Sequence, residues 1–239
     1  TSLDNATGIG RLNLLIDQSD PDGNGILDDA VSASDRKVSI YAFDGSSLTR
    51  VGDTGTGDDG IEAFLAALDA TRHNANDGGT DFDARSDDKG PELEAVDDLV
   101  IDGRTYAVVG AERQNGLILV DLTDPTNPIE FGYVNGQDAD SGDDDVLFSP
   151  EVIQVFTDTE NPGSSAIAIV GFEGDDPITG GFGIYSLNVD QDADGLPDGF
   201  EQQIINFSDS DSFDARGDVI GSADFDGDGD DNATELANG

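Results

Sequence analysis

Apolar residues along this chain occur mostly in short runs that Gly, Asp, Asn or Pro interrupt. The runs are rich in Val, Ile, Tyr and Phe, a composition typical of β-strands that end at turns. One stretch, from Ile61 to Leu68, instead carries apolar residues at i, i+3, i+4 and i+7, which predicts an amphipathic helix over residues 60–72. The pattern therefore predicts an all-β fold, largely antiparallel, with one short helix. The predicted strands lie at 38–43, 106–109, 117–122, 152–156, 166–170 and 183–187.

The strand pattern recurs with a period of about 60 residues. Glu94 and Glu151 begin equivalent strands, and Glu112 and Glu173 end the strands that follow them. A third, degenerate copy ends at residues 36–44. Repeats of a few strands with Gly and acidic residues at fixed places are typical of β-propeller blades. A β-sandwich with accidental similarity between its strands is the alternative.

The number of repeats bears on the architecture. Propellers typically have about 4–8 blades, so about three blade-like units are too few to close a ring. An open set of blades would expose sheet edges, and we therefore expect a further propeller segment or another chain to complete the ring. After Leu187 the composition shifts to few strand formers and many Asp. We predict two domains, a partial β-propeller at 1–188 and a small EF-hand-like calcium-loop module at 189–239.

Two segments of that second module have the spacing of the twelve-residue EF-hand-type calcium loop. In 190–201 and 224–235, acids stand at positions 1, 3 and 5, Gly stands at 6, and Glu stands at 12. Residue 7 offers its carbonyl oxygen and residue 9 an Asp or Asn. Calcium is the predicted ion because magnesium demands a stricter octahedron; a solvated acidic tail is the alternative. The predicted ligands are Asp190, Asp192, Asp194, Leu196, Asp198 and Glu201, and Asp224, Asp226, Asp228, Asp230, Asn232 and Glu235.

A third candidate loop lies near the start of the chain. It offers oxygens at positions 1, 3, 5, 7 and 9, but Val31 occupies position 12, where Asp29 is the nearby substitute. A turn between strands that is rich in Asp and Gly is the alternative. The acidic stretch 138–145 has less order and is interpreted as a solvated loop. The predicted ligands of the third site are Asp20, Asp22, Asn24, Ile26 and Asp28.

The C-terminal module has a resemblance of its own. Short helices are predicted after its two loops, at 201–207 and 235–238, but no full helix precedes either. The stretches Pro197-Asp198-Gly-Phe-Glu201 and Asn232-Ala-Thr-Glu235-Leu-Ala resemble the bacterial thrombospondin type 3-like calcium repeats. This resemblance implies a rigid stalk or connector ordered by calcium, rather than a helix-loop-helix switch.

The net charge of the chain limits the classes of partner that it is expected to bind. The 239 residues carry 53 Asp+Glu against 10 Lys+Arg, a net charge of -43 at pH 7. Binding to nucleic acid or to anionic membranes depends on Lys and Arg, so neither is an expected partner. At 36% hydrophobic residues the chain can still bury a core. Two explanations of the acidity stay open: a saline exterior, where acidic surfaces maintain solubility, and bound cations.

Cysteine content and apolar runs limit the chemistry and the location. The sequence has no Cys, which excludes disulfides, thiolate zinc and cysteine catalysis. It has no run of about 18 apolar residues, so no membrane span is expected. The first residues lack a charged n-region and an apolar h-region, and we expect any signal peptide to lie outside this sequence.

Five stretches of the main body are distinctive. They are Gly8-Ile-Gly-Arg-Leu-Asn13, Arg36-Lys-Val-Ser-Ile-Tyr41, Phe82-Asp-Ala-Arg85-Ser-Asp87-Asp88-Lys89-Gly-Pro-Glu92-Leu-Glu94, Gly103-Arg-Thr-Tyr-Ala-Val-Val-Gly-Ala-Glu112-Arg113 and Val120-Asp-Leu-Thr-Asp-Pro-Thr-Asn-Pro128. With these stretches, residues 8–188 resemble the choice-of-anchor I family, secreted bacterial β-propeller proteins related to cell-surface glycoproteins of biomineralising cells. The resemblance implies a propeller of roughly twice this length, of which this chain is the C-terminal half, and an extracellular or cell-surface location. Two departures are Leu93 in place of a proline and Ser149-Pro-Glu151-Val in place of Gly-Pro-Glu-Gly.

Carboxylates recur with the repeat and form a further candidate site. Equivalent positions of a propeller gather around its central channel, where a ring of like charges requires a cation or shared protons. One hypothesis is a metal or substrate site at the channel. The other is a buried ion-pair network of Asp87, Lys89 and Arg113 that fixes the blade interface. The candidate residues are Arg85, Asp87, Asp88, Lys89, Glu92, Glu94, Glu112, Arg113 and Glu151.

Two functions follow from these features. The first is a secreted or cell-surface calcium-binding protein with a structural, adhesive or matrix- or mineral-associated role, for which a homo-oligomer or a filament stays open. The second is a calcium-dependent phosphoesterase with a carboxylate-lined site at the channel. The sequence favours the first, because it has no nucleophile elbow and no phosphate-binding Gly-Lys-Ser/Thr motif, and its one histidine, His73, lies in a polar run.

Overall fold

The computed structural model describes residues 15–26, 28, 36–55, 60–69, 71–75, 82–135, 147, 149–163, 165–175, 178–207 and 215–238. This part of the chain is mostly antiparallel β-sheet, as the sequence predicts. The strands are β1 Ser39–Phe43, β2 Leu48–Asp53, β3 Leu93–Ile101, β4 Arg104–Ala111, β5 Gly116–Asp121, β6 Ile129–Asn135, β7 Pro150–Phe156, β8 Ile167–Asp175 and β9 Ile178–Ser186. The helices are α1 Ile16–Ser19, α2 Ile61–Leu68, α3 Asp198–Phe207 and α4 Asn232–Asn238, with a 3-10 turn at Arg216–Asp218.

The described strands form three sheets in which neighbours along the chain are neighbours in space. They are the hairpin β1-β2, the four-stranded sheet β3-β4-β5-β6 and the three-stranded sheet β7-β8-β9. All pairs are antiparallel. Short connections between successive strands favour this order because they need no crossover.

The core lies on both faces of β4. On one face, Tyr106 and Val108 pack with Val155 and Val170 of the three-stranded sheet. On the other face, Ala107 and Val109 pack with the α2 side chains. β4 is therefore buried along most of its length, which explains why its sequence is a continuous apolar run rather than an alternating one.

The structure corrects several boundaries and adds three strands to the six predicted as apolar runs. The predicted helix 60–72 ends at Leu68, because Asp69 leaves the helical conformation, with φ -141° and ψ 69°, and its carboxylate binds Arg72 at 2.8 Å. The three added strands are β2, β3 and β6, which were not predicted as apolar runs because polar residues interrupt them. Of these, only β3 had a marker in the repeat, at Glu94. The expectation of one short helix in the main body was incomplete, since α1 precedes the first acidic loop. Among the described residues, no helix is long and apolar enough to cross a membrane.

Candidate functional site: three acidic loops and a glutamate cluster

Three acidic loops share one backbone conformation; we call 20–28 the first loop, 190–201 the second and 224–235 the third. Their position-6 residues, Gly25, Gly195 and Gly229, have φ of 83°, 96° and 107°, a conformation that favours glycine. The N–H of each glycine donates to the carboxylate at position 1, over 2.8, 3.1 and 3.0 Å. The Asp at position 1 thus stabilises the turn in each loop.

A second shared bond closes each loop. The N–H at position 9 donates to the carbonyl of the residue before position 1, from Asp28 to Ser19, from Asp198 to Val189 and from Asn232 to Ala223. These bonds measure 2.8, 2.7 and 2.7 Å. The chain therefore returns to its starting point within nine residues in each loop.

The structure brings the acids of the second and third loops together. The carboxylates of Asp190, Asp192 and Asp194 have oxygens within 4.8 Å of one another, and so do those of Asp224, Asp226 and Asp228. Leu196, at position 7, buries its side chain in the small core of the C-terminal module with Ile204 and Val219. In the first loop, Asp22 and Asn24 instead bond each other at 2.8 Å, and Asp28 is exposed.

Position 12 distinguishes the second loop. Glu201 is fully buried, and within the described chain neither of its carboxylate oxygens accepts a hydrogen bond. Oδ1 of Asp190 is also buried and accepts no hydrogen bond there. Burial, with repulsion from Asp192 and Asp194, raises the pKa of Glu201 to about 8. In the third loop, burial and four aspartates raise the pKa of Glu235. Position 12 of the first loop, Val31, lies outside the described residues, as does Asp29.

At position 9 the side chains already have partners. Asp198 accepts the N–H of Gln191 at 2.8 Å through Oδ1 and pairs with Arg216 at 3.1 Å through Oδ2. Asn232 accepts the N–H of Phe225 and donates to the carbonyl of Ile220. Burial raises the pKa of Asp198 despite the arginine. The side chains at this position therefore stabilise the loop, and they would contact a bound cation through a water molecule.

The candidate channel residues form an ion-pair network centred on Glu92. Its buried carboxylate pairs with Arg85 at 2.6 Å, Arg113 at 3.0 Å and Lys89 at 3.3 Å. Burial opposes ionisation of Glu92, but hydrogen bonds from Glu112 and Arg85 and the charge of Arg113 lower its pKa to about 2. Asp88 lies at the edge of the network, 3.4 Å from Arg85, and the half-buried Asp87 lies in the same turn.

A cluster of four glutamates extends from this network to the next sheet; we call Glu94, Glu112, Glu151 and Glu173 the glutamate cluster. Glu112 has an oxygen within 4.8 Å of oxygens of Glu151 and Glu173, and the same holds for Glu112 with Glu92 and Glu94. Burial and the hydrogen bond to Glu92 raise the pKa of Glu112. Burial and the neighbouring Glu173 and Glu94 raise that of Glu151.

The backbone repeats at this cluster. Glu92 and Ser149, which precede β3 and β7, have φ of 47° and 59°. Their carbonyls accept the N–H groups of Glu112 and Glu173 at 2.8 and 2.9 Å. The register of each strand pair then shifts, so that Glu94 and Glu151 stand at equivalent β-bulges. The structure therefore relates the two sheets as copies of one unit.

Sequence reasoning left three groups out of the candidate site. Glu173 had a visible signal, its equivalence to Glu112 in the repeat. Arg216, which reaches Asp198, and the pair of Arg104 with Asp121 had none, because their partners are distant in sequence. His73 belongs to neither the loops nor the cluster, and it lines an open pocket of about 320 Å³ with Asn74 and Glu62. The acidic stretch 138–145 lies outside the described residues.

Comparison with known protein families identifies the class to which this chain belongs. The family described as the choice-of-anchor I domain matches residues 1–125. The chain belongs to the choice-of-anchor I family, whose domains are typically found on cell-surface proteins. No curated protein and no solved structure matches the chain.

Proposed function

We propose that this chain is a calcium-binding structural part of an extracellular or cell-surface protein, with calcium in its second and third loops. The observation that carries the proposal is Glu201, a fully buried carboxylate with two unpartnered oxygens in the described structure. Burying an unpaired carboxylate costs several kcal/mol, and an opposite charge removes that cost. Three aspartates lie on the other side of the loop, and their negative charges oppose ionisation of Glu201. A divalent cation between these aspartates and Glu201 would neutralise this repulsion.

The donor set fits calcium in particular. Calcium takes about 6–8 oxygens in a flexible shell, and the second loop offers three aspartates, a carbonyl and a glutamate that can bind through both oxygens. Magnesium usually keeps several waters and a strict octahedron, which a loop of this length does not impose. We expect the first loop to bind more weakly, because Pro21 at position 2 has no N–H to hold the residue at position 9.

Glu201→Gln tests the proposal directly. The substitution keeps the shape of the side chain and removes its charge, so we expect calcium affinity at the second loop to fall about tenfold or more. The exposed Asp158→Asn, which removes one negative charge away from the loops, is the matched control and should leave the affinity unchanged. Isothermal titration calorimetry on the full chain measures both. Equal affinities in Glu201→Gln and the wild type would contradict calcium binding at this loop.

Excess chelator provides an independent measurement. A cation that binds only the folded chain stabilises it by about 2.7 kcal/mol when its concentration is 100 times the Kd. We expect chelation to unfold the C-terminal module and to lower the melting temperature, as followed by circular dichroism. An unchanged melting temperature in excess chelator would reject a structural role for calcium.

We infer further that the three sheets are blades of a partial β-propeller, with the loop module packed on the outside. Three observations support this arrangement: β3 and β7, the first strands of successive sheets, pack against each other; their bulges are equivalent; and glutamates from both gather at one edge. A further segment or another chain would complete the ring. Light scattering on this chain tests whether the ring closes by association: a defined oligomer supports closure between chains, whereas a monomer contradicts it.

The network around Glu92 favours a structural role over the phosphoesterase alternative. Arg85, Lys89 and Arg113, the cations that a phosphate would require, are engaged by one buried glutamate. A calcium-dependent assay on model phosphate esters separates the two functions. Turnover that Glu94→Gln or Asp88→Asn abolishes would favour the enzyme.

A further inference from the structure

The second loop is also the part of the C-terminal module that contacts the four-stranded sheet. Positions 9 to 12 of this loop are the first turn of α3, and α3 lies against β6. Gly199, at position 10, is buried, and a Cβ there would lie 2.6 Å from Oδ2 and 2.9 Å from Cβ of Asp121. The Asp121 carboxylate is fixed in place by Arg104 at 2.6 Å and by the N–H of Thr123 at 2.9 Å. The helix therefore meets a rigid surface at this point.

Arg216 makes a second link between the loop and the sheet. Its Nη1 donates to the carbonyl of Phe131 in β6 at 2.6 Å and to Oδ2 of Asp198 in the loop at 3.1 Å. Arg104 of the sheet lies 5.8 Å over the ring of Phe200, at position 11. Three consecutive loop residues, Asp198, Gly199 and Phe200, thus contact the sheet directly or through one side chain.

The third loop shows that the glycine at position 10 is not a requirement of the loop itself. That loop has the same backbone bonds, but its position 10 is Ala233, which is exposed. Alanine is also the better helix former, by about 1 kcal/mol. The close approach of Asp121 is the contact that explains why the second loop has glycine here.

We propose that calcium occupancy of the second loop and the docking of the C-terminal module on the four-stranded sheet are thermodynamically coupled. This inference rests on the proposed calcium binding and adds a consequence to it. The same turn of α3 carries Glu201 toward the loop centre and Gly199 toward Asp121, so the two contacts share one rigid element. A cation that stabilises this turn stabilises the docked state, and loss of the cation leaves a buried, unpaired glutamate next to the interface.

Coupling is reciprocal, which makes it measurable from either side. If calcium strengthens docking by some factor, then disrupting docking weakens calcium binding by the same factor, typically about 5–150-fold. The N–H of Gly195 and the N–H of Gly229 each donate to the position-1 carboxylate of their own loop. Their amide signals in an NMR titration of the full chain therefore report the second and third loops separately.

Gly199→Ala disrupts docking without changing a charge or a ligand. We expect calcium affinity at the second loop to fall about tenfold, the third loop to stay unchanged, and calcium-dependent hydrogen-exchange protection of β6 to be lost. Helix propensity alone predicts the opposite, a tighter second loop. The matched control is Asn206→Ala, at an exposed position of α3. This substitution also raises helix propensity but places no side chain against Asp121, so it should not weaken calcium binding. Unchanged exchange in β3–β5 shows that the variant folds.

Arg216→Ala provides a second test, because coupling and simple charge repulsion predict opposite changes in calcium affinity. A cation beside a calcium site repels calcium, so an arginine that acts only through its charge predicts tighter binding after its removal. Coupling predicts weaker binding, because the bond to Phe131 is lost. Unchanged or tighter second-loop affinity in folded Gly199→Ala and Arg216→Ala would overturn the coupling and leave calcium binding intact. Absence of any calcium response at Gly195 in the wild type would instead overturn the proposed function itself.

Discussion

At the scale of single residues, the neighbours Glu92 and Glu112 lie in one hydrogen-bonded pair, but their pKa values are shifted in opposite directions. Three cations surround Glu92 and keep it charged, whereas burial and the hydrogen bond to Glu92 raise the pKa of Glu112 to about 8. The pKa of Glu92 is therefore lowered and that of Glu112 is raised, although Arg113 also contacts the Glu112 carboxyl at 2.8 Å. This division of roles makes the two positions respond differently to the same substitution.

Glu92→Gln should destabilise the chain by about 3 kcal/mol, because it leaves partly buried cations without their counter-charge. Glu112→Gln should cost less than about 1 kcal/mol at pH 7, because burial and the hydrogen bond to Glu92 raise the pKa of Glu112 and so favour the neutral form, which the amide resembles. Urea unfolding of both variants measures the difference. Equal costs would show that Glu112 is ionised in the folded chain.

The raised pKa of Glu112 also gives a pH dependence with a definite sign. Between the usual value of 4.5 and about 8, the folded chain keeps a proton that the unfolded chain releases. This contribution to stability is full below the lower pH and is lost as the pH rises through the upper one. We expect the free energy of unfolding of Glu112→Gln to fall less steeply with pH than that of the wild type. Parallel pH profiles of the two proteins would contradict this assignment.

Residues of the loops and of the ion-pair network could both be predicted from sequence, but the pairing within the network could not. The loop bonds join positions at most nine apart, so spacing alone places Asp190 and Gly195 in one turn. The sequence proposed an ion-pair network with Asp87 as its carboxylate, whereas Arg85, Lys89 and Arg113 meet at Glu92. Several acids follow one another in that stretch, and only the backbone turn at Glu92 decides which of them points inward.

At the scale of elements, the pairing of β5 with β6 depends on the absence of a side chain at Gly116. A Cβ at this position would overlap the ring of Tyr133, whose hydroxyl group is bonded to Asn135 at 3.0 Å. The ring therefore covers the start of β5 and has little freedom to move away. Gly116 is buried and pairs with Asn135 in the register of the two strands.

Gly116→Ala should accordingly destabilise the chain by about 1–3 kcal/mol, the usual cost of overpacking. In a Tyr133→Ala background the same substitution should be neutral or stabilising, because glycine in a strand is about 0.5–1 kcal/mol worse than alanine. Urea unfolding of the four proteins of this double-mutant cycle measures the interaction. Additive effects would show that the ring moves aside without cost.

The helices show how far element boundaries follow from sequence. The sequence predicts helices at 201–207 and 235–238, and the structure begins them at Asp198 and Asn232, three residues earlier in each case. Spacing assigned these two residues to calcium, whereas their side chains bond the loop at position 2 and so start the helix. A residue with two compatible roles in a motif cannot be assigned from the motif alone.

At the scale of the whole molecule, the packing of the C-terminal module on the four-stranded sheet could not be predicted from the sequence. The bond from Arg216 to Phe131 joins residues 85 apart, and no local pattern marks either of them. Within the repeat, by contrast, the matching of Glu94 with Glu151 predicted that glutamates of the two sheets come together, as they do around Glu112. Long-range order was predictable where a repeat supplied it and nowhere else.

The net charge separates two effects of ions on the whole chain. Three calcium ions would reduce a net charge of -43 only to about -37, so calcium accounts for the placement of acids more than for their number. The remaining repulsion acts over a Debye length of about 10 Å at 0.1 M salt and about 3 Å at 1 M. We expect the melting temperature to rise by several degrees between these two salt concentrations, since 1 kcal/mol shifts it by about 2–4 °C in a chain of this size.

The effects of calcium and of sodium on the melting temperature should depend differently on concentration. Specific sites saturate, so the effect of calcium on the melting temperature should level off once the concentration greatly exceeds the Kd, whereas screening by sodium chloride continues to grow. Magnesium at matched ionic strength is the control for screening by a divalent ion. The Glu201→Gln variant should lose much of the saturable response and keep the sodium response. If sodium chloride at equal ionic strength reproduced the whole effect of calcium, general screening would suffice, and the acidic loops would be solvated surface rather than cation sites.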